Sequence, residues 1–110
     1  MASSSAFFSI LFIKIGERIR DGAVIGYKYF DFYGVGLLAL EVRGQLAGTV
    51  TVSHDAEGAE IIGAIELEMT AADWSMVLLP VAPEQKTRAL YLRYEGEGEW
   101  ELKSFCFFAQ

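Results

Sequence analysis

Cysteine is almost missing from this 110-residue chain, and Cys106 stands alone. One thiol excludes an intrachain disulfide and any cysteine-based metal centre. Its setting in Phe105-Cys106-Phe107-Phe108 reads as a small, half-buried strand residue and not as a tuned nucleophile. Histidine is as scarce: His54 is the only one, so any acid–base chemistry would rest on carboxylates. Lys and Arg number 9 against 15 Asp and Glu, a net charge of −6. That balance argues against nucleic acid or an anionic membrane as a partner, since both call for a basic face. No apolar run approaches the ~20 residues of a membrane helix. The best candidate, Phe7 to Ile13, lacks a basic stretch before it and a small-x-small cleavage site after it. The sequence also holds no G-x-S-x-G, no H-E-x-x-H, no phosphate-cradling glycine loop and no Cys/His pair. The chain is read as non-catalytic, and its compartment is left unassigned.

What is present is apolar, aromatic and alternating. Hydrophobic residues make up 53% of the chain, well above a disordered composition, and 110 residues suffice for one core. Residues 1–6 read as a flexible leader and residues 7–110 as a single domain, opening with a strand at 7–15. Val24 to Phe32 is rich in β-branched and aromatic residues. Leu37 to Arg43 alternates, Gly44 breaks the run, and Gly48 to Ser53 alternates again. His54 to Gly58 is a polar hairpin loop, and Ile61 to Met69 is the next strand. A turn at 70–73 separates it from Trp74 to Val81, followed by Thr87 to Tyr94, a glycine turn at 96–98, and Trp100 to Phe108. Eight or nine short strands without an amphipathic helix predict an all-β, antiparallel β-sandwich, a jelly roll.

Four stretches and one tryptophan together resemble a known family. Asp21-Gly22-Ala23-Val24-Ile25-Gly26-Tyr27-Lys28-Tyr29-Phe30-Asp31-Phe32 is followed by an "evRGqlaGTVtV" run, Glu41 to Val52. Trp74 then precedes Ala89-Leu90-Tyr91-Leu92-Arg93-Tyr94-Glu95-Gly96 and the closing aromatic strand Leu102 to Phe107. This series is similar to family 6 carbohydrate-binding modules, and in particular to the C-terminal accessory β-sandwich of some family 43 glycoside hydrolases. The resemblance covers residues 17–108. It implies a non-catalytic domain that holds xylan- or arabinan-type polysaccharide for a tethered hydrolase. The expected partners are an oligo- or polysaccharide and the catalytic domain of a parent chain, with a homo-oligomer as a further option. The alternative is a structural, interdomain or oligomerisation sandwich that has lost its sugar site.

The family's usual loop-edge cleft sandwiches one sugar between two aromatic rings and bonds it through an Asn. Alignment places Arg18, Ala71 and Glu101 at those three positions, so this chain departs from the pattern at each. Lys103 stands where the family often carries an Asp of a structural calcium site, which counts against that ion. No cofactor is expected, and no metal ligand is assigned.

A second surface for sugar is the face of one sheet. Sugar rings stack their C–H faces on aromatic platforms, and neighbouring charged or amide groups bond the hydroxyls. With Leu90, Leu92 and Tyr94 inward, Tyr91 and Arg93 point outward. Tyr29 shares an alternation with Tyr27 and Asp31, opposite Phe30 and Phe32. Tyr29, Arg43, Tyr91 and Arg93 are the predicted carbohydrate-binding residues, with Trp100 as an edge platform or a clamp over the sandwich end. Trp74 is expected in the core beside Met76 and Leu78, and His54 in a solvated turn. Glu66 and Glu68 lie on one strand face with no cleft between them, so a solvated face explains them without glycosidase chemistry.

Overall fold

A computed structural model describes residues 13–109, with side chains from residue 16 onward. The expected leader and the start of the expected first strand lie outside these residues. Six strands are described: β1 (Ile13–Ile19), β2 (Val24–Asp31), β3 (Val35–Ser53), β4 (Ile61–Pro80), β5 (Thr87–Glu97) and β6 (Trp100–Ala109). All pairings are antiparallel.

β3 organises the fold. Its first half, residues 35–44, pairs with β6, and its second half, residues 47–53, pairs with β5. β4 follows β3 along nearly its whole length on the other edge, from Leu37↔Pro80 to Ser53↔Ile61. One rolled sheet therefore makes two layers. The first is β1-β6-β3-β4, using the N-terminal half of β3, and the second is β2-β5-β3-β4, using its C-terminal half. This is the expected antiparallel β-sandwich.

The element count differs from the reading of the sequence. Gly44 does not break a strand, and residues 70–73 do not form a turn; each lies inside a long strand that serves both layers. Gly44 marks a bulge where the pairing of β3 with β4 shifts, at φ +128. A Cβ there would meet the Glu99 carbonyl oxygen and Trp100 Cα at 2.7 Å, so glycine is required where the layers cross.

The core lies between the layers because inward positions on each strand are apolar. Leu38, Leu40, Val42, Val50 and Val52 of β3 meet Leu90 and Leu92 of β5 and Leu102 and Phe105 of β6. An aromatic cluster joins β2 and Phe32, the residue after it, to β6: Tyr27–Phe105, Phe30–Phe105 and Phe32–Phe107 have ring centroids 5.5, 5.9 and 5.2 Å apart. Such contacts add about 0.5–1.5 kcal/mol each beyond area burial. Burial raises the Tyr27 hydroxyl above the usual tyrosine range, and the nearby Glu17 carboxylate adds to it.

Trp100 is 3% exposed and packs edge-on against Tyr94, with centroids 5.5 Å apart. It clamps the two layers and offers no ring face to a ligand, so it leaves the candidate binding set. Tyr94 is fixed in turn: its hydroxyl accepts the Ala47 N–H at 3.0 Å and donates to the Glu97 carbonyl. Cys106 is fully buried, deeper than expected, and burial pushes its thiol upward.

Candidate functional site

The outer face of the second layer gathers three of the predicted residues. β2 and β5 pair with Gly26 opposite Tyr91 and Val24 opposite Arg93. Directly opposed residues project to the same side. A Cβ built on Gly26 would sit 2.2 Å from Cε2 and 2.6 Å from Cδ2 of Tyr91. The Tyr91 ring therefore leans down over the glycine Cα, occupying space that any other residue would fill. The ring packs against the sheet at Gly26, and the residue as a whole is half-buried. That is the geometry of a stacking platform.

Tyr29 reaches this surface by a different route from the one expected. It does not alternate with Tyr27. Tyr27 and Phe30 both pack against the core, and the pairing of β2 with β5 shifts between them. Lys28 and Tyr29 form the bulge and are both exposed, Tyr29 to 66%. A bulge re-aims a side chain without ending the strand. Tyr29 and Tyr91 then line one open hollow of ≈ 410 Å³ together with Lys28, Arg88 and the loop from His54 to Glu57.

Polar contacts hold that loop in place. Arg93 Nη2 donates to the Ala56 carbonyl at 2.8 Å. Asp55 accepts the Ala59 and Glu60 N–H groups at 3.0 and 2.8 Å, and these two bonds hold its carboxyl below the usual range. Arg88 pairs with Glu60 at 2.7 Å and with Glu84.

His54 is not in a solvated turn. It is 5% exposed, packs against Phe32, and uses both ring nitrogens. Nδ1 lies 2.9 Å from the Ala89 carbonyl, and Nε2 accepts the Glu84 N–H at 3.1 Å. The partners assign the proton to Nδ1. His54 is thus a structural pin between the 54–60 loop and the chain at Glu84, before β5, and Ala89, within it.

Arg43 belongs elsewhere. It lies on the first layer opposite Glu101 and bonds that carboxylate through Nε and Nη2 at 3.1 and 2.8 Å. Its guanidinium also covers the Trp74 ring at 4.3 Å from the centroid, with Lys103 Nζ at 5.4 Å. Trp74 is half-buried on this outer face and is not a core residue. Met76 and Leu78 do share its face, as expected, but that face is the exposed one.

The loop-edge region is filled by charge. A hollow of ≈ 220 Å³ is lined by Arg18, Arg43, Glu99 and Glu101, with Gly44 and Trp100 behind them. Arg18 and Arg20 lie 3.7 and 3.3 Å from Glu99. The family's two-ring sandwich has no counterpart among these residues: Trp100 is buried behind them, and the nearby Trp74 ring is already covered by Arg43.

Glu66 and Glu68 are exposed on β4. The Asp55 and Glu84 carboxyls are both lowered, Glu84 chiefly by its bond to Arg88. A general acid working near neutrality needs the opposite shift. Among the described residues, no group of three or more His, Cys, Asp or Glu is placed to hold a metal ion.

The residue that sequence reasoning missed is Gly26. Its signal lies in register: only the pairing of β2 with β5 sets that glycine under Tyr91.

Comparison with known proteins fits this architecture. No family model matches the chain. A xylosidase/arabinosidase of Thermoclostridium stercorarium is 33% identical over 88 residues, covering 80% of this chain. The chain spans only 18% of that protein's length. A family 43 arabinoxylan arabinofuranohydrolase from Bacillus subtilis, solved with cellotetraose, superposes at a TM-score of 0.76. It is 16% identical, over 88% of this chain and 22% of that one. A family 6 carbohydrate-binding module from Clostridium cellulolyticum, solved with xylose, superposes at 0.72. It is 22% identical, over 86% of this chain and 77% of that module. The chain has the β-sandwich fold of these modules, and the resemblance read from its sequence is borne out.

Proposed function

We propose that this chain is a non-catalytic carbohydrate-binding domain, carried by a xylan- or arabinan-degrading hydrolase, that binds glycan on the outer face of its second layer. The observation that carries this reading is the Tyr91 ring laid over Gly26, beside exposed Tyr29 and a loop pinned by Arg93. A flat aromatic face bordered by hydrogen-bonding groups is what a pyranose ring stacks on. The fold shared with family 6 modules and the xylosidase/arabinosidase relative support the ligand class. The short span of this chain within that relative supports a tethered role. A tethered module raises the effective concentration of polysaccharide at a catalytic domain without new chemistry.

The test is titration calorimetry with xylo- and arabino-oligosaccharides on the wild type and on Tyr91→Ala. Weak saturable binding that drops at least tenfold in Tyr91→Ala is expected, a loss of about 1.4 kcal/mol or more. Equal binding by the two proteins would move the site elsewhere.

A second reading is favoured by one observation on the opposite layer. Met76 and Leu78 are 48% and 53% exposed there. Half-buried Leu37 and Phe108 continue the patch across β3 and β6. An apolar sheet face of this kind suits packing against another domain or another copy. The two readings use opposite faces and are compatible.

A further inference from the structure

His54 is the only histidine of the chain, and it joins the two walls of the hollow that Tyr29 and Tyr91 line. One wall is its own loop, His54 to Glu57, and the other is Thr87, Arg88, Ala89 and Tyr91. Tyr27 pairs with Leu90 and Phe30 with Arg88, so Ala89 alone stands across from the bulge that carries Tyr29. The Nδ1–H of His54 donates to the Ala89 carbonyl at 2.9 Å, and Tyr91 follows two residues on. The ring therefore anchors β5 between its two contributions to the hollow.

The other ring nitrogen works only without a proton. Nε2 accepts the Glu84 N–H at 3.1 Å, and the ring is 5% exposed, packed against Phe32. A second proton makes both nitrogens donors. Nε2–H and the Glu84 N–H would then face each other with no acceptor between them. If the ring turns away, it loses Ala89; if it stays, Glu84 must retreat.

The charged groups around the ring do not relieve that conflict. Asp55 and Glu57 of its loop, Lys28 of β2 and Arg88 of β5 line the same hollow. Glu60 and Glu84 meet His54 through main-chain groups and turn their carboxylates to Arg88. Asp31, beside Phe32, accepts the Tyr33 N–H, and Lys86 lies 3.5 Å from Glu84. Among the described residues, neither ring nitrogen bonds a carboxylate. The loop itself is held without the ring: Asp55 caps Ala59 and Glu60, and Arg93 bonds the Ala56 carbonyl. The change falls on the opposite wall, where Arg88 is tied to Glu84 and moves with it.

We propose that His54 is a proton-operated latch on the glycan-binding hollow: the neutral ring holds the two walls together, and a second proton parts them and releases the sugar. The inference rests on the binding face proposed above and adds its regulation. Histidine is the side chain whose charge ordinarily changes between about pH 5 and 8, so binding weakens as the medium turns acidic within that range. Asp55 stays charged there, because its backbone bonds hold the carboxyl below the usual range.

The experiment is titration calorimetry with xylotetraose at about pH 7.5 and about pH 5, on the wild type and on His54→Gln. The glutamine amide offers a donor and an acceptor but does not titrate. Wild-type affinity should fall about tenfold at the lower pH, as when a tenth of the molecules keep the competent arrangement. In His54→Gln the ratio between the two pH values should be close to one, whatever its affinity. Without sugar, wild-type amide protection at Glu84, taken relative to the intrinsic exchange rate, should fall between the same pH values while Ala59 and Glu60 keep theirs. Equal wild-type affinity at the two pH values would overturn the latch and leave the binding face standing. A tenfold ratio that survives in His54→Gln would do the same, by assigning the titration to another group. Should the variant not fold, steady protection at Glu84 in the wild type overturns the latch. Failure of xylotetraose to bind at either pH would overturn the binding face and its regulation together.

Discussion

Whether Tyr91 can act as a platform is decided by the residue across from it. With no Cβ at Gly26 the ring lies down on the sheet; with one, the ring must swing away. The fold need not object, because the obstructing atoms are the far end of a side chain and the Gly26 backbone is outside the left-handed region. Gly26→Ala should therefore keep stability unchanged or raise it by about 0.5 kcal/mol, since alanine restricts the unfolded chain. Sugar binding should fall about tenfold. Denaturant titration and calorimetry on the same sample check both halves. His54 poses the reverse case, a residue whose loss is structural. Removing its ring strands the Glu84 N–H and the Ala89 carbonyl, so His54→Ala should cost about 2–4 kcal/mol in chemical unfolding. Composition could not show this. A lone His between Ser53 and Asp55 reads as a polar turn, and only the return of residues 84–89 beside it buries the ring. The tryptophans misled for the same reason. Trp74 and Trp100 each sit on an alternating strand, and alternation does not say which face meets the core.

At the scale of elements, pattern was a good guide to strands and a poor guide to their ends. The alternation of Leu37 to Arg43, Gly48 to Ser53 and Thr87 to Tyr94 was legible because inward positions there are uniformly apolar. Gly44 and the 70–73 stretch looked like breaks because glycine and small polar residues usually mark them. In fact the pairing of β3 with β4 carries both through, and the bulge absorbs the bend. The bulge at Lys28 and Tyr29 was equally hidden: a strict period of two gives Tyr29 an outward aim for the wrong reason. The 54–60 loop carries a pH dependence that follows from its bonds. Asp55 has a lowered carboxyl because its charged form accepts two backbone N–H groups. A lowered folded value means the contribution is complete above the unfolded carboxyl range, near ~3.9, and fades as pH falls through the folded value. Protection at Ala59 and Glu60, taken as exchange relative to its intrinsic rate at each pH, should hold steady from pH 7 to about 4 and fall only below. Asp55→Ala should lower it across that range and match the wild type once Asp55 is protonated.

For the whole molecule, the sequence disclosed a β-sandwich but not how the sandwich closes. Two layers made from halves of the same two strands look, in one dimension, like separate shorter strands. The roll also decides which predicted residues can cooperate. Tyr29, Tyr91 and Arg93 fall on one layer, and Arg43 on the other with Trp74 and Glu101. The molecule thus has two unlike faces, one aromatic and acidic, the other apolar around Met76 and Leu78. If the apolar face packs on a neighbour, the isolated chain should associate at high concentration. Paired Met76→Lys and Leu78→Lys changes should then return it to a monomer by light scattering, with sugar binding intact. A wild type that stays monomeric throughout would direct that face to another domain of a longer protein.

The most direct test of the binding face is an amide-shift NMR titration of the chain with xylo-oligosaccharides. Saturable shifts centred on Gly26, Tyr29, Tyr91 and Arg93, with Arg43 and Trp74 unmoved, are the expected result. Shifts confined to Arg18, Arg43, Trp74 and Glu101, or no shifts at millimolar sugar, would contradict it.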